Sequence, residues 1–158
     1  MSEQPTSIQN PEIITVEPQP TAVVIGTMQM AELSNFFDSS YQQVAEAVQR
    51  QGVTPHEAFG YYPRMPTDTI EVEVGFTTSA PISPDGNVVA SQLPGGEVAH
   101  ATYVGAYDGL RQAYGDLFSW LQSQGRQPGS AMWEVYVTEP TPQADPGSMV
   151  TELYWTLA

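Results

Sequence analysis

The residue best suited to chemistry in this 158-residue chain is a glutamate inside an aromatic strand. The run Trp133-Glu134-Val135-Tyr136 places a carboxyl group among large rings. A charge in such surroundings is unfavourable unless a cation or hydrogen-bond donors meet it. Burial would also raise the pKa of Glu134. The pattern indicates either a receptor for a cation or a general acid or base, with the hydroxyl of Tyr136 beside it.

Other common chemistries find no support in the sequence. The chain has no cysteine, which removes thiol catalysis, disulfides and cysteine-based zinc sites. His56 and His100 lie far apart without metal-ligand spacing, so both are interpreted as structural or surface residues and no metal site is predicted. The Gly-x-Ser-x-Gly motif of serine hydrolases is absent. No cofactor is predicted.

Composition and charge limit the partners. The hydrophobic fraction of 41% is typical of a globular chain, and the length fits one domain. Four basic and 18 acidic residues give a net charge of −14, which repels phosphate backbones and argues against direct nucleic-acid binding. The polar start is unlike a signal peptide, and no apolar run is long enough to span a membrane. A cytoplasmic protein is predicted.

Residue patterns predict the order strand, helix, strand, strand twice. We expect a disordered tail over 1–12 and one domain over 13–158, with halves 13–79 and 97–158 joined by a linker over 80–96. Helices are predicted from Phe37 to Gly52, after a cap at Ser34, and from Asp108 to Gly125. Strands are predicted at 13–16 continuing into 22–30 with a kink at Pro18 and Pro20, at 58–62, 69–78, 87–90, 98–104, 132–138 and 149–157.

Alternation along the strands predicts which side chains share a face. On strand 132–138, the apolar set Trp133, Val135 and Val137 is expected under the helix. Met132, Glu134 and Tyr136 would then face a concave side. By the same reasoning Ile70, Val72, Val74 and Phe76 are assigned to the core, with Glu71 and Glu73 opposite.

Together these features resemble a known family. The motifs are Gly105-Ala106-Tyr107 opening a helix, Trp120-Leu121 near its end, Gly125 behind it, Trp133-Glu134-Val135-Tyr136, and a last strand near Thr151. This combination resembles the GyrI-like small-molecule-binding domain, the effector-binding domain of multidrug-responsive and AraC-type bacterial regulators. The resemblance implies an α+β fold, a tandem β-α-β-β repeat with a ligand cleft between two pseudo-symmetric halves.

The resemblance also implies a site. Glu134 matches the buried glutamate that meets cationic lipophilic compounds at the floor of the cleft, and Tyr107 matches the tyrosine that opens the second helix. The ligand would be a small apolar or cationic aromatic molecule. Residues expected to line the cleft with them are Tyr136, Tyr103, Met132, Met149, Tyr62 and Met28, methionine being suited to adaptable pockets.

Two other functions stay open. A hydrolase could use Glu134 as general acid or base, assisted by Tyr107 and Tyr136, since some proteins of this family are hydrolases. Alternatively, the chain could inhibit a larger protein such as gyrase by direct contact. A stand-alone sensor is expected, because no DNA-binding motif or basic patch accompanies the domain. Monomer and dimer are equally compatible with the sequence.

Overall fold

The computed structural model describes residues 8–64, 67–106, 109–137 and 149–158, which form one antiparallel sheet with two helices. The strands are β1 (Ile8–Val16), β2 (Gln19–Met28), β3 (Pro55–Tyr62), β4 (Ile70–Thr78), β5 (Val89–Leu93), β6 (Gly96–Val104), β7 (Pro128–Tyr136) and β8 (Val150–Leu157). The helices are α1 (Leu33–Arg50), which follows a 3₁₀ turn at Met30–Glu32, and α2 (Leu110–Ser123). The predicted α+β class is confirmed.

Both helices end at the glycines that the sequence singles out. Gly52 and Gly125 have φ of 67° and 69°, a left-handed conformation that glycine adopts without steric cost. Hydrogen bonds between backbone groups flanking these glycines close each helix, from Val53 to the Val48 carbonyl and from Arg126 to the Leu121 carbonyl, both 3.0 Å. Within the described residues, neither helix has the length and apolar composition needed to cross a bilayer.

The spatial order of the strands is β1-β6-β8-β7-β3-β4-β2-β5. β3 pairs with β7, which places Gly60 opposite Glu134. The prediction of one kinked strand across Pro18 and Pro20 is wrong. β1 pairs with β6, whereas β2 pairs with β4 and β5, because Pro18 lacks an N–H for a ladder and the chain changes partner there.

Two element boundaries also differ from expectation. The predicted tail over 1–12 is too long, because β1 begins at Ile8 and Glu12 lies opposite His100 of β6. Within the predicted linker over 80–96, the strand expected at 87–90 is β5 at Val89–Leu93, which pairs with β2. Pairing with a neighbouring strand extends both segments beyond what local composition indicates.

The helices cover one face of the sheet only. Their side of the sheet carries a buried core to which β4 contributes Ile70, Val72 and Val74, as predicted. The opposite face, called here the helix-free face, carries a second buried cluster. Its buried members are Val23, Phe59, Leu93, Val98, Trp133 and Val135.

The predicted facing of β7 is wrong. Met132 packs in the helix-side core, whereas Trp133 and Val135 belong to the helix-free face, and Val137 is 57% exposed. The apolar side chains Trp133 and Val135 did not indicate the helix side, because the helix-free face is also buried. Leu93 of the edge strand β5 and Ile14 of the other edge strand β1 pack in the same cluster, so the sheet curls around this face.

Candidate functional site

Glu134 lies in the middle of β7 on the helix side of the sheet, with 5% of its surface exposed. Its Oε1 accepts a hydrogen bond of 2.7 Å from the hydroxyl of Tyr136, two residues along the same strand. Across the strand pair stands Gly60, where a Cβ would lie 2.9 Å from the ring of Phe37 and 3.1 Å from the Tyr136 hydroxyl. A glycine here therefore lets the two rings close over the carboxyl group.

Two more tyrosines complete what we call the tyrosine–glutamate cluster, defined as Glu134, Tyr62, Tyr114 and Tyr136. Tyr62 of β3 is buried, and its side chain forms a hydrogen bond with that of Tyr136. Tyr114 reaches the cluster from α2 and favours the charged form of Glu134. The Tyr114 hydroxyl is buried, but it lies within hydrogen-bond distance and angle of no partner among the described residues. The cluster thus contains a donor that is not fully used.

Aromatic side chains of α1 close the other side. Phe37 meets Tyr136 edge to face, with ring centroids 6.0 Å apart, and meets Tyr41 at the same distance. The Tyr41 hydroxyl donates to the Phe59 carbonyl at 3.0 Å. Both helices therefore contribute aromatic residues to the surroundings of the carboxyl group.

Burial dominates the electrostatics of the cluster. It raises the pKa of Glu134, and the hydroxyls of Tyr136 and Tyr114 offset only part of the effect. Burial, followed by repulsion from Glu134, also raises the pKa values of Tyr62, Tyr114 and Tyr136. These tyrosines therefore stay protonated and can act as donors to the carboxyl group.

The Glu134 carboxyl group has no cationic partner in the described part of the chain. The ion pairs there involve Arg50, Arg64, His100 and Arg126, all with other carboxylates. An ionised carboxyl group at this depth is costly unless a cation offsets it. Chemically, the arrangement can receive a cation, donate a proton from the neutral acid, or accept one when ionised.

The residues predicted to line the site fall into three groups. Tyr136 and Tyr62 are brought to Glu134. Met132, Met28 and Tyr103 pack in the same helix-side core. The Tyr103 hydroxyl donates to the Ala106 carbonyl at 2.5 Å, which gives it a structural role in the approach to α2.

The last two predicted residues are different. Met149 is buried beside Gly105, whose N–H donates to its carbonyl at 2.8 Å. Tyr107 lies outside the described residues, as does Asp108, the predicted helix cap.

Sequence analysis did not single out the helical members Tyr114, Tyr41 and Phe37 as site residues. A signal was available in Tyr41 and Tyr114. A tyrosine on the buried face of a helix requires a polar partner for its hydroxyl. The polar partner of the Tyr41 hydroxyl is the Phe59 carbonyl, and the polar group beside Tyr114 is the Glu134 carboxyl.

Comparison with known proteins places the fold and the family. A family model described as the GyrI-like small molecule binding domain matches residues 9–158. A sequence search of the curated proteins finds no match.

Three solved structures illustrate the similarity of fold. The crystal structure of the EcmrR C-terminal domain superposes with a TM-score of 0.81 at 16% identity, covering 96% of this chain and 98% of that one. SAV2435 bound to tetraphenylphosphonium gives 0.68 at 12% identity, with coverages of 95% and 94%. A hydrolase from Listeria innocua gives 0.68 at 13% identity, with coverages of 98% and 94%.

Proposed function

The chain belongs to the family of GyrI-like small-molecule-binding domains, and from that premise we propose that it binds apolar or cationic aromatic compounds at the tyrosine–glutamate cluster. The observation that carries the proposal is the buried Glu134 carboxyl group, which has hydroxyl donors but no cationic partner in the described ranges. A cationic ligand would supply the missing charge, and the surrounding rings would stack on its apolar groups.

The depth of Glu134 determines how such a ligand would bind. Because 5% of the residue is exposed, an occupant must displace side chains that now cover the carboxyl group. Phe37 and Tyr114, contributed by the two helices, adjoin the cluster and are themselves only partly buried. The relative SAV2435 was solved with tetraphenylphosphonium, a lipophilic cation, which supports this class of ligand.

The proposal is tested by calorimetric titration with tetraphenylphosphonium and with triphenylphosphine oxide as a neutral aromatic control. Glu134→Gln should weaken binding of the cation by about 5- to 150-fold, the effect of losing a desolvated charge interaction. Binding of the neutral compound should change little. Glu73→Gln is the matched control, because Glu73 is also a hydrogen-bonded strand glutamate but lies on the helix-free face. Equal losses for both compounds would refute the charge argument.

Hydrolysis of a reactive small molecule is the second candidate. It is favoured by a specific observation: burial raises the pKa of Glu134, and a tyrosine hydroxyl lies 2.7 Å from its Oε1. A carboxyl group with a raised pKa can act as a general acid or base near neutral pH. One relative in fold is described as a hydrolase.

Product analysis separates the two candidates. Compounds found to bind are incubated with the protein and followed by mass spectrometry. Recovery of the unchanged compound over many hours supports binding without reaction. Multiple turnovers that disappear in Glu134→Gln and fall in Tyr136→Phe, while binding persists, would establish the enzyme and replace the first proposal.

A further inference from the structure

The helix-free face carries a row of side chains that crosses six strands in register. Each member lies directly opposite the next on the neighbouring strand, in the order Glu12, His100, Tyr154, Trp133, Tyr61 and Glu73. Successive ring centroids are 4.8, 5.1 and 6.3 Å apart, and the Tyr154 and Trp133 rings are stacked at an interplanar angle of 8°. Four rings therefore form a continuous aromatic row with a carboxylate at each end.

A cavity of about 80 Å³ lies beside the stacked pair. Its apolar floor includes Trp133, Val135 and Leu93, each less than 5% exposed. Its rim includes the exposed residues Glu17 and Glu57. The cavity is thus an aromatic and aliphatic pocket whose entrance is acidic.

Negative charge surrounds the Tyr154 ring. Burial, and then repulsion from Glu152, Glu57 and Glu12, raises the pKa of Tyr154 to about 12. Glu12 and Glu152 bind opposite ring nitrogens of His100, at 2.9 and 3.1 Å.

The rim carboxylates have no such partner. Within the described ranges neither Glu17 nor Glu57 takes part in an ion pair. Carboxylates without counter-charges at the mouth of an aromatic pocket attract a cation and repel an anion.

We propose that this cavity is a second ligand site, separate from the tyrosine–glutamate cluster, that binds the quaternary ammonium group of a small organic cation. Aromatic faces combined with nearby carboxylates are the usual means of recognising such groups, because the ring quadrupole attracts a cation that cannot donate hydrogen bonds. A metal ion fits less well, since no metal-binding group of three His, Asp or Glu occurs among the described residues.

The site is independent of Glu134 although both use β7. Successive residues of a strand point to opposite faces, so Trp133 and Glu134 are neighbours in sequence and lie on different sides of the sheet. The cavity volume also limits the occupant: it suits a compact head group rather than the several rings of a large lipophilic cation.

The tryptophans allow the two faces to be followed separately by NMR. Of the three in the chain, Trp133 lies on the helix-free face, while Trp155 packs in the helix-side core with its indole N–H donated to the Gly129 carbonyl at 3.1 Å. The probe is choline, and its neutral isostere 3,3-dimethylbutan-1-ol is the control for shape. Choline should shift the Trp133 indole signal in a saturable way and leave that of Trp155 in place, and the alcohol should shift neither.

Variants connect the signal to the cavity. Tyr154→Leu should raise the dissociation constant for choline roughly 2- to 30-fold by removing the cation–π contact. Glu57→Gln, on the exposed rim and therefore safe for folding, should raise it about 2- to 5-fold. Glu46→Gln, an equal change of charge on α1, and Glu134→Gln should have no effect.

The proposal is overturned if choline produces no saturable shift of Trp133, if the alcohol shifts Trp133 as strongly as choline does, or if Glu134→Gln abolishes the Trp133 response. The last result would assign choline binding to the tyrosine–glutamate cluster. An unchanged choline affinity in both Tyr154→Leu and Glu57→Gln would also contradict it.

Discussion

The two faces of the sheet each contain a glutamate with the same local contact in different surroundings. Glu134 accepts a 2.7 Å hydrogen bond from Tyr136 under the helices, and Glu73 accepts a 2.7 Å hydrogen bond from Ser91 on the helix-free face. Burial is the first cause of a raised pKa for both. Glu134 is almost fully enclosed, however, whereas Glu73 keeps partial access to water. Enclosure, rather than the hydrogen bond, therefore makes Glu134 the better receptor for a desolvated cation.

The largest expected effects test whether both faces are true cores. Leu117 of α2 is fully buried on the helix side, and Trp133 is 3% exposed on the other. Leu117→Ala should lower the free energy of unfolding by roughly 2–5 kcal/mol and Trp133→Ala by about 3–5 kcal/mol, because each leaves a cavity. Chemical denaturation measures both. Phe118→Ala, at a 42% exposed neighbour of Leu117, is the control and should cost much less. A loss below about 1 kcal/mol for Trp133→Ala would mean that the helix-free face is not a core.

A smaller effect should separate the two hydrogen bonds. Tyr136→Phe leaves an almost fully buried carboxyl group without its donor, so it should cost roughly 1–3 kcal/mol. Ser91→Ala removes the donor to Glu73, which water can partly replace, so about 0.5–1.5 kcal/mol is expected. Thermal or denaturant unfolding of the two variants side by side gives the comparison. If Ser91→Ala cost more than Tyr136→Phe, burial would not be the deciding difference.

The effect of pH on the free energy of unfolding should be smaller than the effects of these substitutions. Its sign is characteristic of a raised carboxyl pKa, because stability should fall as pH rises. The pKa of Glu134 is higher in the folded protein than in the unfolded chain, so the unfolded state loses its proton first as pH rises. The resulting contribution to the free energy of unfolding is fully present below the ordinary carboxyl pKa and is lost as pH rises through the raised value. The loss amounts to about 1.4 kcal/mol for each pH unit that separates the folded and unfolded pKa values.

Glu134→Gln removes this dependence. The variant should therefore be at least as stable as the wild-type protein at neutral pH. On acidification the free energy of unfolding of the wild-type protein should rise relative to that of the variant. Melting curves of both proteins over a pH series measure the difference. A variant destabilised at neutral pH as strongly as Leu117→Ala would show that Glu134 is a structural partner.

Local sequence patterns predicted the order of elements in the chain well. Helix spacing and the glycines at 52 and 125 located both helix ends, and alternation located β4 and its buried residues. Those features depend on backbone preferences and on one buried face, which are local properties. The family resemblance added the fold class and a ligand-binding role for Glu134, which the aromatic strand had already singled out.

The errors arose from long-range contacts. β1 and β2 are joined by only two residues, yet β1 stands at one edge of the strand order and β2 next to the other edge. No local pattern reveals this separation. Facing along β7 was reversed because the curled sheet buries Trp133 as completely as the helices bury Met132. Tyr114 was not singled out because the carboxyl group beside it, Glu134, lies on another element. A rule that apolar residues face a helix fails where both faces of a sheet are buried.

The central claim is that Glu134 is a buried carboxylic acid that binds a cationic ligand. The most direct test of this claim is the number of protons released when a cation binds. Tetraphenylphosphonium is titrated by calorimetry in buffers of different ionisation enthalpy, at several values from about pH 5 to about pH 7. If burial keeps the carboxyl group protonated, a bound cation ionises it, so up to about one proton is released at pH values below the raised pKa, and the release falls as pH rises through that pKa. Glu134→Gln should release none. Binding of the cation without proton release at any pH, or with equal release in Glu134→Gln, would contradict the account.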